Sequence, residues 1–320
     1  MRFLLFLFTE VAMAAPCTSS DKSCVERLPL GAGRYMQIFR SHSLQQAAPS
    51  MERAFILVHG TLRNGDDYFK TAVAAALDTG RLDKTIVIAP HFKANEASRC
   101  KDALDDGELA FSCNGWKDGE PALGSPLDSF TAMDRLLAAL DDKSRFPALK
   151  EIVVGGHSAG GQYVQRYAAG NRIEPTLSAP VRYLVANPSS YLYLEPWRPV
   201  NGNPAELCPG FNKYKYGLDE LSGYARQTGA ATIRSKYPHR NVTYLLGELD
   251  TTDEHSLDKS CPAMAQGANR LERGLAYWKR LTATYSATHQ LVRVPGCDHS
   301  ADCMYRSEAG RQAIFAADAK

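Results

Sequence analysis

Glu151-Ile152-Val153-Val154-Gly155-Gly156-His157-Ser158-Ala159-Gly160 is the stretch on which the reading of this chain turns. Its first four residues form a short, largely apolar run of the kind that fills a buried strand. Small residues then close around one serine, and a helical pattern follows through Tyr163 and Tyr167. A G-x-S-x-G between strand and helix predicts a sharp turn that lifts the Ser158 hydroxyl out of the sheet, with glycines where side chains would collide. The helix behind it would aim its amide dipoles at negative charge developing on a substrate. The plainer reading is a small-residue turn in which Ser158 only caps the helix.

Working outward, apolar runs at Ala54–Val58, Thr85–Ala89, Val181–Ala186, Val242–Leu246 and Gln290–Val294 predict further strands. Apolar residues at three- and four-residue spacing predict helices at Asp67–Leu77, Leu127–Leu140, Met264–Leu281 and Tyr305–Ala317. The alternation predicts an α/β fold, a mostly parallel central sheet with helices on both faces, and Arg34–Phe39 is expected at the sheet's edge. Residues 93–125 and 188–238 break the alternation and read as loop-rich insertions at the carboxyl ends of strands, where open α/β sheets bind ligands. The densest charged stretch, Lys101–Glu108, reads as a solvated face.

A serine hydroxyl needs a base to become a nucleophile, and the base needs a carboxylate to hold its tautomer. His299 follows the last predicted strand, so a loop there can reach the sheet's carboxyl edge. His289 precedes that strand, His255 sits near the presumed acid loop, and His42, His91 and His239 lack a matching context. Asp250 lies just beyond the strand ending at Leu246, with Asp253, Glu248 and Asp258 as alternatives. Asp250 capping the next segment is the plain structural reading.

In the chain order Ser158, Asp250, His299, these residues resemble the α/β-hydrolase superfamily from about Ala54 to the C-terminus. The resemblance implies a single domain over residues 15–320 and an oxyanion hole in which a backbone N–H near Thr61 or Leu62 joins that of Ala159. His59 is expected to pack or hydrogen-bond within that loop. It implies hydrolysis of a carboxylic ester through an acyl-enzyme on Ser158, with no metal or organic cofactor required. A peptidase or acyltransferase on the same triad, or a catalytically silent binding protein, remain the alternatives. Tyr191, Tyr193, Trp197, Phe211, Tyr214 and Tyr216, with Trp116, either line an amphipathic cleft or pack beneath the long loops.

Composition narrows the partners. The 37 basic and 35 acidic residues nearly balance, leaving no broad footprint for nucleic acid or an anionic bilayer. No apolar run reaches the roughly 18 residues of a membrane span, so the expected partner is a small or polymeric ester rather than a lipid bilayer. Arg2, the run Phe3–Phe8 and Ala12-Met13-Ala14 resemble a signal peptide over residues 1–14, implying a secreted or periplasmic protein that begins near Ala15. All eight cysteines follow that point, as four disulfides would require. Their spacing suggests Cys17–Cys24, Cys100–Cys113 and Cys297–Cys303 as local loops and Cys208–Cys261 as a longer tie. The Cys297–Cys303 loop would enclose His299 and limit its motion.

Overall fold

The computed structural model describes residues 15–96, 100–252, 254 and 256–315. The proposed signal segment, residues 1–14, and the rival site residues Asp253 and His255 lie outside the described residues.

Eight strands form one sheet: β1 (Val25–Gly31), β2 (Arg34–Arg40), β3 (Arg53–Val58), β4 (Thr85–Pro90), β5 (Glu151–His157), β6 (Val181–Ala186), β7 (Val242–Gly247) and β8 (Gln290–Val294), in the spatial order β1-β2-β4-β3-β5-β6-β7-β8. The first two ladders are antiparallel and those from β4 through β8 are parallel. The continuous apolar runs have the reason expected of them, because the central strands are covered on both faces. In β3, Ala54, Ile56 and Val58 enter one hydrophobic core while Phe55 and Leu57 enter a second.

Six principal helices cover the sheet. The helices α2 (Ser129–Leu140), α3 (Ala159–Gly170) and α4 (Arg270–Tyr285) contribute to the first core, and α1 (Gly65–Asp78), α5 (Ala301–Arg306) and α6 (Glu308–Phe315) to the second. Residues 93–125 follow β4 and carry a two-stranded ribbon and a 3-10 turn at Gly115–Asp118. Residues 188–238 follow β6 and carry the short helices Pro204–Leu207, Gly223–Thr228 and Ala230–Lys236. Trp116, Tyr191, Tyr193 and Phe211 are buried, so these rings pack beneath the loops. Trp197, Tyr214 and Tyr216 are half-buried.

Several local expectations are corrected. The sheet's edge is β1, outside Arg34–Phe39; only Leu28 and Leu30 of this strand are buried, so its apolar signal is faint, and Pro29 fits an edge position. Met264–Leu281 is not one helix. Gly267 takes φ +143° and Asn269 caps α4 by accepting the Glu272 amide, so the helix begins at Arg270. The Tyr305–Ala317 helix is likewise interrupted at Ser307, whose hydroxyl accepts the Gly310 amide; residues 316 and 317 lie outside the described residues. Lys101–Glu108 is not wholly solvated, because Glu108 is buried on Lys93 at 2.9 Å and Asp102 on Arg63 at 2.6 Å.

All four expected disulfides are present, Cys17–Cys24, Cys100–Cys113, Cys208–Cys261 and Cys297–Cys303. The third spans 53 residues and ties the second insertion to the segment before α4. Loop-closure entropy assigns such a bridge about 2–4 kcal/mol. Replacing Cys208 and Cys261 together with serine should lower the unfolding free energy by about that much in denaturant titration. An unchanged midpoint and slope would show that packing alone holds the insertion.

Candidate active site

β5 ends at His157, and Ser158 begins the turn into α3 with φ +59° and ψ −118°. A serine in that region stores about 1–3 kcal/mol of backbone strain. The flanking glycines make it attainable: a Cβ on Gly156 would overlap the Gly160 carbonyl, and one on Gly160 would overlap the carbonyl of Val58 at the end of β3. The Ser158 turn is thus pressed against the strand that leads into the Thr61 loop.

From Ser158 a hydrogen-bond chain runs across three loops. The Ser158 hydroxyl donates to His299 Nε2 at 2.9 Å, and His299 Nδ1 donates to Asp250 Oδ2 at 2.7 Å. The Asp250 side chain is 1% exposed and that of His299 7%, so the pair is shielded while the serine faces a cavity. The loops are tied together behind it. Leu249 donates its amide to the Cys297 carbonyl at 2.9 Å. Asn187, at the end of β6, accepts the Gly247 amide at 2.9 Å and donates to the Asp298 carbonyl at 3.1 Å, joining the acid and base loops. The Cys297–Cys303 disulfide closes the loop that carries His299.

The other candidates stand elsewhere. Glu248 pairs with Arg293 at 3.0 Å, and Asp258 accepts from the Tyr216 hydroxyl at 2.7 Å. His289 is buried between the Tyr244 hydroxyl and the Tyr237 carbonyl, beside the amino end of β8. His42 contacts Ser41, and His239 is exposed. His59 donates from Nδ1 to the Gly60 carbonyl at 3.0 Å and accepts the Phe92 amide at Nε2 at 3.0 Å. It braces the turn ahead of Thr61 and Leu62, and burial, with a smaller push from His91, holds it neutral down to about 3.

A cavity of about 470 Å³ opens beside Ser158. Its walls are the loop Gly60-Thr61-Leu62, Tyr68 of α1, His157, His299 and the start of α5. Arg63 stiffens the loop by donating to the Thr61 carbonyl at 3.0 Å while bonding Asp102 of the first insertion. Among the described residues, the amides of Thr61, Leu62 and Ala159 donate to no protein group. Glu96, Cys100 and Cys113 approach one another as metal ligands would, but the two sulfurs are joined in a disulfide.

Three contributors were not singled out from sequence. Arg270, 0% exposed, places Nη1 3.5 Å from Asp250 Oδ1 and donates to the Glu254 carbonyl at 3.2 Å. Asn187 joins the two loops as described. His157 sets its ring, tilted by 40°, 4.5 Å from that of His299 and meets the Tyr68 hydroxyl at 3.1 Å. The available signals were an arginine opening a capped helix and a histidine inside the serine motif; neither identifies a partner that is distant in sequence.

A profile of the alpha/beta hydrolase family matches residues 55–314. No curated protein matches the chain in sequence. Among solved structures, poly(aspartic acid) hydrolase-1 from Sphingomonas sp. KT-1 is 20% identical with a TM-score of 0.60, over 91% of this chain and 97% of that one. LpqC, a poly(3-hydroxybutyrate) depolymerase from Bordetella parapertussis, is 21% identical with a TM-score of 0.60, over 91% of this chain and 89% of that one. At such identity the likeness is one of fold.

Two predictions follow from the buried charges and histidines. Arg270→Met should lower kcat about tenfold or more with a smaller effect on KM, and Arg270→Lys should recover part of the loss. Removing this cation should also move the acid limb of the kcat/KM profile to higher pH, because the Asp250 charge then acts undiluted on the His299 imidazolium. A profile that merely drops without moving would make Arg270 only a packing element. In the second prediction, burial holds folded His59 at about 3, and His91 and His289 at about 4, against 6.5 for ordinary histidine. The unfolded chain therefore takes up protons first, and stability present above about 6.5 is lost as pH falls toward 4. Asp134, raised by burial to about 6, adds stability over part of that window. Burial also raises Asp128 and lowers His42, so four histidines stand against two carboxylates and calorimetry should find Tm falling between pH 7 and 4.5; a constant or rising Tm would contradict this balance.

Proposed function

Since the chain belongs to the alpha/beta hydrolase family, we propose that it is a serine hydrolase that cleaves carboxylic esters through an acyl-enzyme on Ser158. The observation that carries the reading is the hydrogen-bond chain from Ser158 through His299 to Asp250 beside the cavity.

In this reading Ser158 Oγ attacks the ester carbonyl carbon as its proton passes to His299 Nε2, and Asp250 stabilises the resulting imidazolium. The oxyanion of the tetrahedral intermediate accepts the Ala159 amide and that of Thr61 or Leu62, each such donor being worth about 3–4 kcal/mol. Collapse breaks the bond to the alcohol oxygen, which receives the proton from His299. Water then repeats the sequence on the acyl-enzyme, delivering its proton to His299 and releasing the carboxylic acid and Ser158. Every proton in the cycle moves between the substrate, water and a side chain of the triad.

Export is part of the proposal. Residues 1–14 act as a signal peptide, and the four disulfides support an oxidising environment. Among the described residues no helix is long and apolar enough to cross a membrane. Small or polymeric esters then meet the cavity from solution. Of the two structural neighbours, the poly(3-hydroxybutyrate) depolymerase acts on a polyester, which agrees with a polymeric ester among the substrates, while the poly(aspartic acid) hydrolase acts on a polyamide.

The test is hydrolysis of p-nitrophenyl esters from acetate to palmitate by the oxidised protein beside its Ser158→Ala variant. The variant should lose at least about a thousandfold in kcat, and chain-length preference should report the acyl site. Labelling of Ser158 by a fluorophosphonate without ester turnover would turn the reading toward a peptidase or acyltransferase. Neither labelling nor turnover would leave a silent scaffold.

A further inference from the structure

We propose that Lys117, Arg166 and Lys215 form an anion subsite, about 12 Å along α3 from Ser158, that receives a carboxylate carried by the substrate. The inference rests on the ester-hydrolase reading for its role in catalysis, but the site itself is defined by residues outside the triad.

The three cations come from three parts of the chain. Arg166 lies on α3, Lys117 in the 3-10 turn of the first insertion, and Lys215 in the second insertion. Asp118 draws two of them together, with Oδ1 2.7 Å from Arg166 Nη1 and Oδ2 3.5 Å from Lys215 Nζ. A single carboxylate is therefore shared by two cations. A second acid, Asp258, acts on Lys117 and Lys215 without pairing with either while it accepts from Tyr216 at 2.7 Å and from the Ser260 amide at 3.0 Å, so the three cations still outnumber these carboxylates. Lys117 makes no ion pair among the described residues; its ammonium donates to the neutral Asn114 carbonyl oxygen at 2.9 Å.

These cations sit away from bulk water. Arg166 is 1% exposed and Lys117 8%. The Arg166 Nε is buried with no hydrogen-bond partner, although Nη2 reaches Ser190 at 3.0 Å and Gln162 at 3.2 Å. A buried cation without a counterion is unfavourable unless function requires it. The strain appears in Lys117, which burial, followed by repulsion from Lys215, holds down to about 8. A carboxylate arriving with the substrate would supply the missing charge and bind with charge assistance.

The position relative to Ser158 sets the ligand's length. Arg166 is eight residues along α3 from Ser158, about 12 Å at 1.5 Å per residue. Gln162, on the turn between them, donates its amide to the Ser158 carbonyl and accepts from Arg166. Trp116, beside Lys117, packs its ring at a tilt 4.7 Å from that of His59 at the base of the Thr61 loop. The geometry thus selects an ester with a carboxylate several bonds from the scissile carbonyl, as in a monoester of a medium-length dicarboxylic acid or the acidic end of a polyester fragment.

The experiment compares p-nitrophenyl hexanoate with the mono-p-nitrophenyl ester of suberic acid, and measures suberate binding to Ser158→Ala by calorimetry. The wild type should prefer the charged ester in kcat/KM, and both Lys117→Met and Lys215→Met should cut that preference about tenfold. Lys215→Arg should retain it. Suberate should bind Ser158→Ala with salt-sensitive affinity and bind the double variant carrying Lys117→Met about tenfold more weakly. Binding lost with Lys117→Met but no turnover of either ester would uphold the subsite and reject the ester-hydrolase reading. Equal preference in wild type and variants, or suberate binding indifferent to Lys117, would overturn the subsite whatever the turnover.

Discussion

The close approach of the Ser158 turn to the end of β3 is the constraint on which the site depends. Gly160 lies so near the Val58 carbonyl that no side chain fits, and Gly156 is as tightly placed against Gly160. That contact brings the amino end of α3 and the Thr61 loop to the same point in space. It also forces Ser158 to φ +59°, a conformation that β5 and α3 together must hold. The parallel ladders on both sides of β5 supply the rigidity, since β3 and β6 each pair with it along its length.

Around this fixed serine the other members arrive on loops, and loops are the part of a fold least able to hold a geometry by themselves. The chain compensates with cross-ties. Asn187 joins the ends of β6 and β7 to the base loop, a disulfide closes the base loop, and Arg270 meets the outer oxygen of Asp250. These ties act through position, because an imidazole displaced by an ångström would lose its hydrogen bonds to Ser158 and Asp250.

The two insertions divide the surroundings of the serine. On the α1 side the cavity is built from the Thr61 loop, Tyr68 and the start of α5. On the α3 side the insertions pack on one another through Asp118, Arg166 and Lys215 over a base of buried rings. The aromatic residues of the second insertion thereby serve largely as its small core. One sheet edge thus carries two different environments, one around the Ser158 hydroxyl and one cationic.

Much of this was legible in the sequence because it is written in local patterns. Central strands announce themselves by continuous apolar runs, the nucleophile turn by glycines that sterics demand, and Asp250 and His299 by following strands in order. The four cysteine pairs also followed from spacing. What escaped was either weakly patterned or non-local. The edge strand β1 buries two leucines and so carries half a signal, and the break before α4 depends on Gly267 and Asn269 overriding a helical period. Arg270, Asn187 and the Lys117 cluster gain their meaning from partners 20 to 111 residues away, as Arg270 from Asp250 and Asn187 from Asp298 show. The sequence by itself determined the layered fold and singled out Ser158, Asp250 and His299 as the proposed triad, since periodicity and steric necessity act between neighbours. Only the tertiary structure decided which charges share a buried space, because that depends on chain segments brought together by packing.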